Sequence, residues 1–317
     1  MGQRKANTKV AGIDVGKRRL DVAIHGAEDE TQVSNDAAGF SELIAWLKAR
    51  EVGRVGLEAS GPYERDVREA LQAAGFEVAV LQPLEVRLFA RLRRKWAKND
   101  RLDARLIAAA TAQLDSVKAA QDPRLADLAD RLTAYEQAAD QAAQIRTFLE
   151  CVRQADVGDD YRQLLKEVLR LKAKLAAEIL RRIKAHDDLL RRFRLLRSLS
   201  GFGDIVAASV LVRMPELGAL RRGQAAALLG VAPFDRESGQ WKGQRFITGG
   251  RSRPRRMLYI AAMSARRRDP RLKAIADRLA ARGKPAKLIL VALMRRLIED
   301  ANLVLGRGTP WLPSATA

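Results

Sequence analysis

At 317 residues and 47% hydrophobic composition, the chain can bury one large core or two modest ones, which excludes disorder as its default state. Its formal charge of +20 exceeds what solubility requires and points to a polyanionic partner, nucleic acid first among them. A single cysteine, Cys151, and two histidines, His25 and His186, exclude a disulfide framework and a thiolate zinc site. Any metal would then be held by carboxylates, the ligands of hard cations such as Mg²⁺ or Mn²⁺.

The opening MGQRKANTKV lacks the apolar core of a leader, and no run approaches the length of a membrane span, so a cytoplasmic chain with no membrane partner is expected. Residues 9–15 and 19–25 alternate in the manner of strands and are separated by Gly16-Lys17, which predicts a hairpin. A short strand at Thr31–Ser34 follows. Phe40, Leu43, Ile44 and Leu47 then fall on one helical face. A strand at Arg54–Glu58, a helix at Tyr63–Ala73 stopped by Gly75, and a strand at Glu77–Leu81 complete a β-β-β-α-β-α-β order. A hairpin followed by crossovers is the strand order of an RNase H-like mixed α/β sheet, expected here over residues 1–120.

Residues 121–192 change texture, with almost no Gly or Pro and many Ala, Leu, Arg and Glu. Leu125, Leu128, Leu132, Tyr135, Ala139 and Ala142 keep a three-four spacing, as do Tyr161, Leu164, Val168, Leu171 and Leu175. With a turn at Val157-Gly158-Asp159 they predict an antiparallel coiled-coil arm, serving as a spacer or an oligomerisation element.

Residues 193–317 read as a mainly α domain. Helices are expected through Val210, at Arg222–Leu229, at Arg255–Arg267 and at Pro285–Leu305, with a Gly-rich irregular segment from Pro233 to Gly250. Ser200-Gly201-Phe202-Gly203 resembles the hairpin of a helix-hairpin-helix element, where Gly201 and Gly203 would let backbone N–H groups approach a phosphate. The charge concentrates here: residues 1–188 carry 32 Lys and Arg against 30 Asp and Glu, and residues 189–317 carry 26 against 8. That segregation predicts phosphate binding by the C-terminal third.

Asp14 ends the first strand in Gly-Ile-Asp-Val-Gly, where flanking glycines would leave room for a phosphate or metal, and Glu58 ends its parallel neighbour. Asp100 and Asp103 stand three apart, on one helical face. Acids brought so close require a counter-cation. The plainer reading makes Asp100 a helix cap and pairs Asp103 with Arg101 or Arg105.

At these residues the chain resembles the DEDD insertion-sequence transposases, whose N-terminal domain is similar to the RuvC Holliday-junction resolvases. The resemblance runs through Gly12–Gly16, Leu57–Tyr63, Lys98–Ala104, the arm, and Leu199–Ala262. It implies a Mg²⁺ (or Mn²⁺) site of Asp14, Glu58, Asp100 and Asp103. It also implies a serine nucleophile, Ser238, in the basic segment from Ala232 to Arg251, with Ser252 as the fallback. Without that resemblance Ser238 reads as an ordinary turn residue.

Arg236, Lys242, Arg245 and Arg251, with Arg253, Arg255 and Arg256 beyond them, would neutralise phosphate charge. Trp241 and Phe246 suit base stacking or buried anchoring. Trp46, Trp96 and Trp311 read as packing residues, and neither histidine has a second metal ligand at useful spacing. The resemblance further implies donor and target DNA, a structured non-coding bridge RNA, a homodimer or homotetramer with a composite site, and a nucleoid-associated bacterial location. Two other classes fit the same residues: a resolvase-like metal-dependent endonuclease that uses water, and a non-catalytic nucleic-acid-binding scaffold.

Overall fold

The computed structural model describes residues 9–59, 61, 63–93, 100–117, 122–234, 237–238, 241–242 and 246–312, with side chains at 100–102, 234, 237–238 and 241–242 left aside. The chain divides into two compact units, Met1–Gln121 and Asp122–Ala317. The expected arm and the basic C-terminal block therefore share one unit.

The first unit is built on a five-stranded sheet of β1 (Lys9–Val15), β2 (Arg19–Ile24), β3 (Glu30–Ser34), β4 (Val52–Glu58) and β5 (Glu77–Leu81). Its order is β3-β2-β1-β4-β5, with β1-β2 and β2-β3 antiparallel and β1-β4 and β4-β5 parallel. This is the RNase H-like order expected from the strand pattern.

Alternation gives the sheet two distinct faces. Ala11, Ile13, Val15, Leu20, Val22, Val55 and Leu57 pack against Leu43 and Leu47 of α1 (Ala37–Ala49) and Val67 and Leu71 of α2 (Glu64–Ala73). Asp36 starts α1 by accepting from Gly39 N at 2.9 Å. The opposite face carries Gly12, Asp14, Gly56 and Glu58, and is covered by α4 (Asp100–Ala112). Leu81 joins Val86 of α3 (Pro83–Leu92) and Leu106, Ile107 and Ala110 of α4 in a smaller core. Pro83 and a capping interaction, Gln82 N donating to Glu85 Oε2 at 2.8 Å, explain why α3 begins where the fifth strand ends.

The second unit opens with α5 (Pro123–Leu149) and α6 (Ala155–Lys184), which form an antiparallel hairpin. Its turn lies at 150–154, before the expected Gly158, which is buried in the first turns of α6. A single Gly costs only ~1 kcal/mol in a helix, and the strong helix formers around it outweigh that. The seam is also rotated: Tyr161, Leu165, Val168 and Leu169 pack against Ala138, Ala142 and Ile145, while Leu164 and Leu171 are 45% and 49% exposed.

Nearer the hairpin's base, Leu125, Leu128 and Leu132 with Ile179 and Ile183 enter the main core of the unit. That core is completed by α7 (Asp187–Arg197), α8 (Asp204–Arg213), α9 (Gln224–Leu229), α10 (Ser252–Arg268), α11 (Pro270–Ala281) and α12 (Ala286–Arg307). Within the segment expected to be irregular, the described residues form two short strand pairs. β6 (Pro233–Phe234) pairs with β9 (Phe246–Ile247), and β7 (Glu237–Ser238) pairs with β8 (Trp241–Lys242). Pairs of two residues are too short for an alternation signal to register. Trp46 and Trp311 pack against the two main cores as expected, and Trp96 lies outside the described residues.

Candidate active site

Asp14 and Glu58 are brought together by strand register. Ile13 pairs with Leu57 in the parallel β1-β4 ladder, so the next residues, Asp14 and Glu58, stand level on adjacent strands and on the same face. Both are half-buried.

The approach of α4 depends on glycine. Gly12 and Gly56 are register partners, and a Cβ at Gly12 would overlap backbone atoms of Ala104 and Ala108. One at Gly56 would overlap the Thr111 side chain. Gly12 is thus required for helix packing, not for ligand room as its neighbourhood suggested. Below this level Arg54 Nη1 donates to Leu114 O at 2.8 Å. Travelling from Arg54 up the strands therefore means travelling back along α4, from Leu114 through Thr111 to Ala104. The next turn of α4 carries Asp103 and Asp100, and the next residue on this face of β1 is Asp14. Asp103 is half-buried, and the Asp100 side chain lies outside the described residues. Among the described residues, no three His, Cys, Asp or Glu side chains stand close enough to hold a metal ion.

An acid beside Asp14 escapes sequence reasoning. Asp21 pairs with Asp14 across β1-β2, is 7% exposed, and accepts from Gln32 Nε2 at 2.7 Å. It lines a pocket with Glu30, Gln32 and Ala104. The available signal was a charge between Leu20 and Val22 in a strand interior, combined with the hairpin that sets its partner.

In the second unit, the Ser238 backbone pairs with Trp241, the pair flanking residues 239–240. The side chains of Ser238, Trp241 and Lys242, and all of Arg236 and Arg245, lie outside the described residues. Phe246, expected with Trp241 to stack on bases or to anchor the loop, is 44% exposed. Ser252 is exposed at the start of α10 and lines a pocket with Glu136, Asp140, Arg253 and Arg256.

Four of the arginines expected to meet phosphate, Arg251, Arg253, Arg255 and Arg256, have partners inside the unit. Arg251 makes a bidentate pair with Glu216, at 2.8 and 2.6 Å, and donates to Arg213 O at 2.7 Å. Arg253 binds Glu136 at 2.6 Å, and Arg255 donates to Gly249 O at 2.7 Å. Arg256 pairs with Asp140, and its hydrogen bond holds that carboxyl below the usual range. Glu136 also pairs with Arg213, and both side chains are under a tenth exposed.

The hairpin between α7 and α8 forms as expected, but its glycines differ in role. Gly201, at φ +83°, backs onto α10, where a Cβ would overlap Ala261 O. Gly203 is exposed, with open space beside it, at the N-terminus of α8. Arg197 bridges this turn by pairing with Asp204 at 2.7 Å.

The sheet order defines the class as RNase H-like. Comparison with known proteins narrows it. A DEDD transposase profile described as "Transposase" matches residues 11–152, and one described as "Transposase IS116/IS110/IS902 family" matches residues 193–277. Two relatives, both named pilin gene-inverting protein, come from Moraxella bovis and Moraxella lacunata. Each is 23% identical over 314 residues, covering 95% of this chain and 96% of its own length. The structure of T. thermophilus RuvC in complex with a Holliday junction substrate matches at 17% identity and a TM-score of 0.28, over 35% of this chain and 99% of that one. The chain belongs to the IS110-type DEDD transposases and is a DNA-acting enzyme of the transposase/recombinase class. No described helix is long and apolar enough to cross a membrane.

Proposed function

We propose that the chain cuts and rejoins DNA strands, using Asp14, Glu58, Asp100 and Asp103 as an acidic site and Ser238 as nucleophile. The observation that carries this reading is the register placing Asp14 level with Glu58, on the face where α4 begins. An all-carboxylate donor set fits a hard divalent cation, Mg²⁺ or Mn²⁺. When bound, such an ion neutralises phosphate charge and activates attacking or leaving oxygens.

The Ser238 hydroxyl attacks a DNA phosphorus, forming a Ser–O–P bond while the bond to the 3′ oxygen breaks. The serine proton is given up, and the released 3′ oxygen takes one. Attack by a 3′ hydroxyl of the partner strand on the phosphoserine then reverses both changes, so no ATP is consumed. Arg236, Lys242 and Arg245, close to Ser238 in sequence, would stabilise the pentavalent phosphate.

Full-length similarity to proteins named for inverting a pilin gene supports rearrangement of donor and target DNA. A structured bridge RNA from the element would supply target choice. A homodimer or homotetramer would place the acids of one subunit beside the serine of another, and the exposed Leu164 and Leu171 of the arm suit such assembly. The working location is the nucleoid-associated bacterial cytoplasm.

The test is recombination on a plasmid carrying the gene with its flanking DNA, with Mg²⁺ and RNA from that flank. Wild type is expected to give covalent protein–DNA adducts. Ser238→Ala removes them while DNA binding persists, and Asp14→Asn lowers recombination by about 10³-fold or more. Adducts persisting in Ser238→Ala overturn the serine assignment. Free ends with no protein linkage indicate a water-using nuclease, and an Asp14→Asn variant equal to wild type indicates a scaffold.

A further inference from the structure

Helix α10 has one face in the core and one exposed face. Met257, Leu258, Ala261, Ala262 and Ala265 are buried. On the outward side Arg256, Ile260, Met263 and Arg267 follow at i, i+4, i+7 and i+11, a continuous stripe ~16 Å long, with Tyr259 beside it. Tyr259 is 37%, Ile260 53% and Met263 43% exposed. Three adjacent apolar side chains held in water on a helix whose other side already satisfies the core call for a binding explanation.

The stripe runs from an ion-paired arginine to a basic groove. Arg256 marks one end, tied to Asp140. At the other, Met263, Arg266 and Arg267 line a cavity of about 520 Å³ with Lys273 and Asp277 of α11 and Leu290 of α12. Arg266, Arg267 and Lys273 make no ion pair among the described residues, so the groove keeps a net positive charge.

We propose that this face of α10, with the groove at its end, seats an unpaired polynucleotide strand. The inference rests on the reading of the second unit as nucleic-acid-binding and adds which form of nucleic acid this surface takes. A duplex offers its phosphates outward and hides its base faces, which would use the arginines and leave Tyr259, Ile260 and Met263 without a partner. An unstacked strand offers both chemistries together, phosphates for Arg266, Arg267 and Lys273 and flat apolar bases for the three exposed side chains. A second copy of this chain fits less well, because a two-fold contact here would set the same arginines against each other.

The test measures binding of the full chain to oligo(dT) and oligo(rU) of about 20 nucleotides and to a duplex of equal length, across a salt series. Two variants are compared, Tyr259→Ser/Ile260→Ser/Met263→Ser and Arg266→Gln/Arg267→Gln/Lys273→Gln, all at surface or groove positions. The first is expected to weaken single-strand binding about tenfold or more, with the salt slope and the duplex affinity unchanged. The second lowers the single-strand salt slope by about 2. Tighter binding of one oligomer than the other identifies DNA or RNA as the source of the strand.

Equal losses for single strand and duplex, or no loss in either variant, overturn the inference while the nucleic-acid reading stands. A change of oligomeric state in the serine variant, seen by sedimentation, assigns the face to a second copy and also overturns it. A wild-type chain that binds none of the probes overturns both readings.

Discussion

The acids beside α4 and the acids along α10 are placed by different means. Asp14, Asp21 and Glu58 lie on one face of the sheet by strand register, and two glycines let α4 down over that face. Along α10, acids are few and each is engaged: Glu216 with Arg251, Glu136 with Arg213 and Arg253, Asp140 with Arg256. The first arrangement sets its acids by backbone geometry. The second disperses its charge through side-chain pairs, leaving a surplus of arginine toward solvent. A backbone-built site fails when packing fails, whereas a side-chain-built surface can lose members one at a time.

The sharpest way to break this contrast is Gly12→Val. Its side chain would collide with the backbone of Ala104 and Ala108, which no rotamer change relieves. A destabilisation of more than about 4 kcal/mol is expected, with loss of recombination, because α4 carries Asp100 and Asp103. Denaturant unfolding of the full chain with hydrogen exchange read at Ile107 would record it. Protection at Ile107 equal to wild type would show that α4 does not need the glycine seat.

In the second unit the largest effect belongs to a buried pair. Glu136→Ala leaves the Arg213 guanidinium, 9% exposed, with Thr133 Oγ1 at 3.4 Å and no acid among the described residues. A cost of about 3 kcal/mol is expected, most of it from the stranded charge. Glu136→Gln, which keeps acceptor capacity, should cost less. Urea midpoints of the two variants check the order, and equal midpoints would mean that the loss is one of shape and not of charge.

How much of this was legible follows from the range of the signals. The five strands and the Asp14/Glu58 pair could be read because alternation and hairpin chemistry act within a few residues, and parallel pairing then levels the strand ends. The helical arm was legible, but its turn was not, because a glycine in a helix is a weak signal beside a run of good helix formers. The strand pairing of Ser238 with Trp241 was invisible at two residues per strand. The basic run at 251–256 looked like free phosphate ligands. Its carboxylate partners sit as far as 117 residues earlier, at Glu136 and Asp140, and no local pattern links them. Asp21 was missed although its register with Asp14 follows from the same hairpin.

The smallest effect sharpens the view of side-chain-built charge at the base of the arm. Glu178 accepts from Arg181 and Arg182, and these bonds lower its carboxyl from the ordinary 4.5 to about 2. Arg182 in turn reaches Asp127 of α5 at 3.0 Å, so the network ties the two helices of the hairpin together. A carboxyl depressed in the folded state contributes stability that is fully present above its unfolded value and is lost as pH falls through its folded one. The contribution should therefore be constant from neutrality to about pH 4.5 and disappear toward about pH 2. Melting of wild type and Glu178→Gln across that range tests this, since the difference between them should close on acidification. The pair is solvent-exposed, so added salt should shrink the difference at neutral pH as well. A gap that stays constant down to about pH 2 would show that Glu178 acts through packing of its stem and not through its charge.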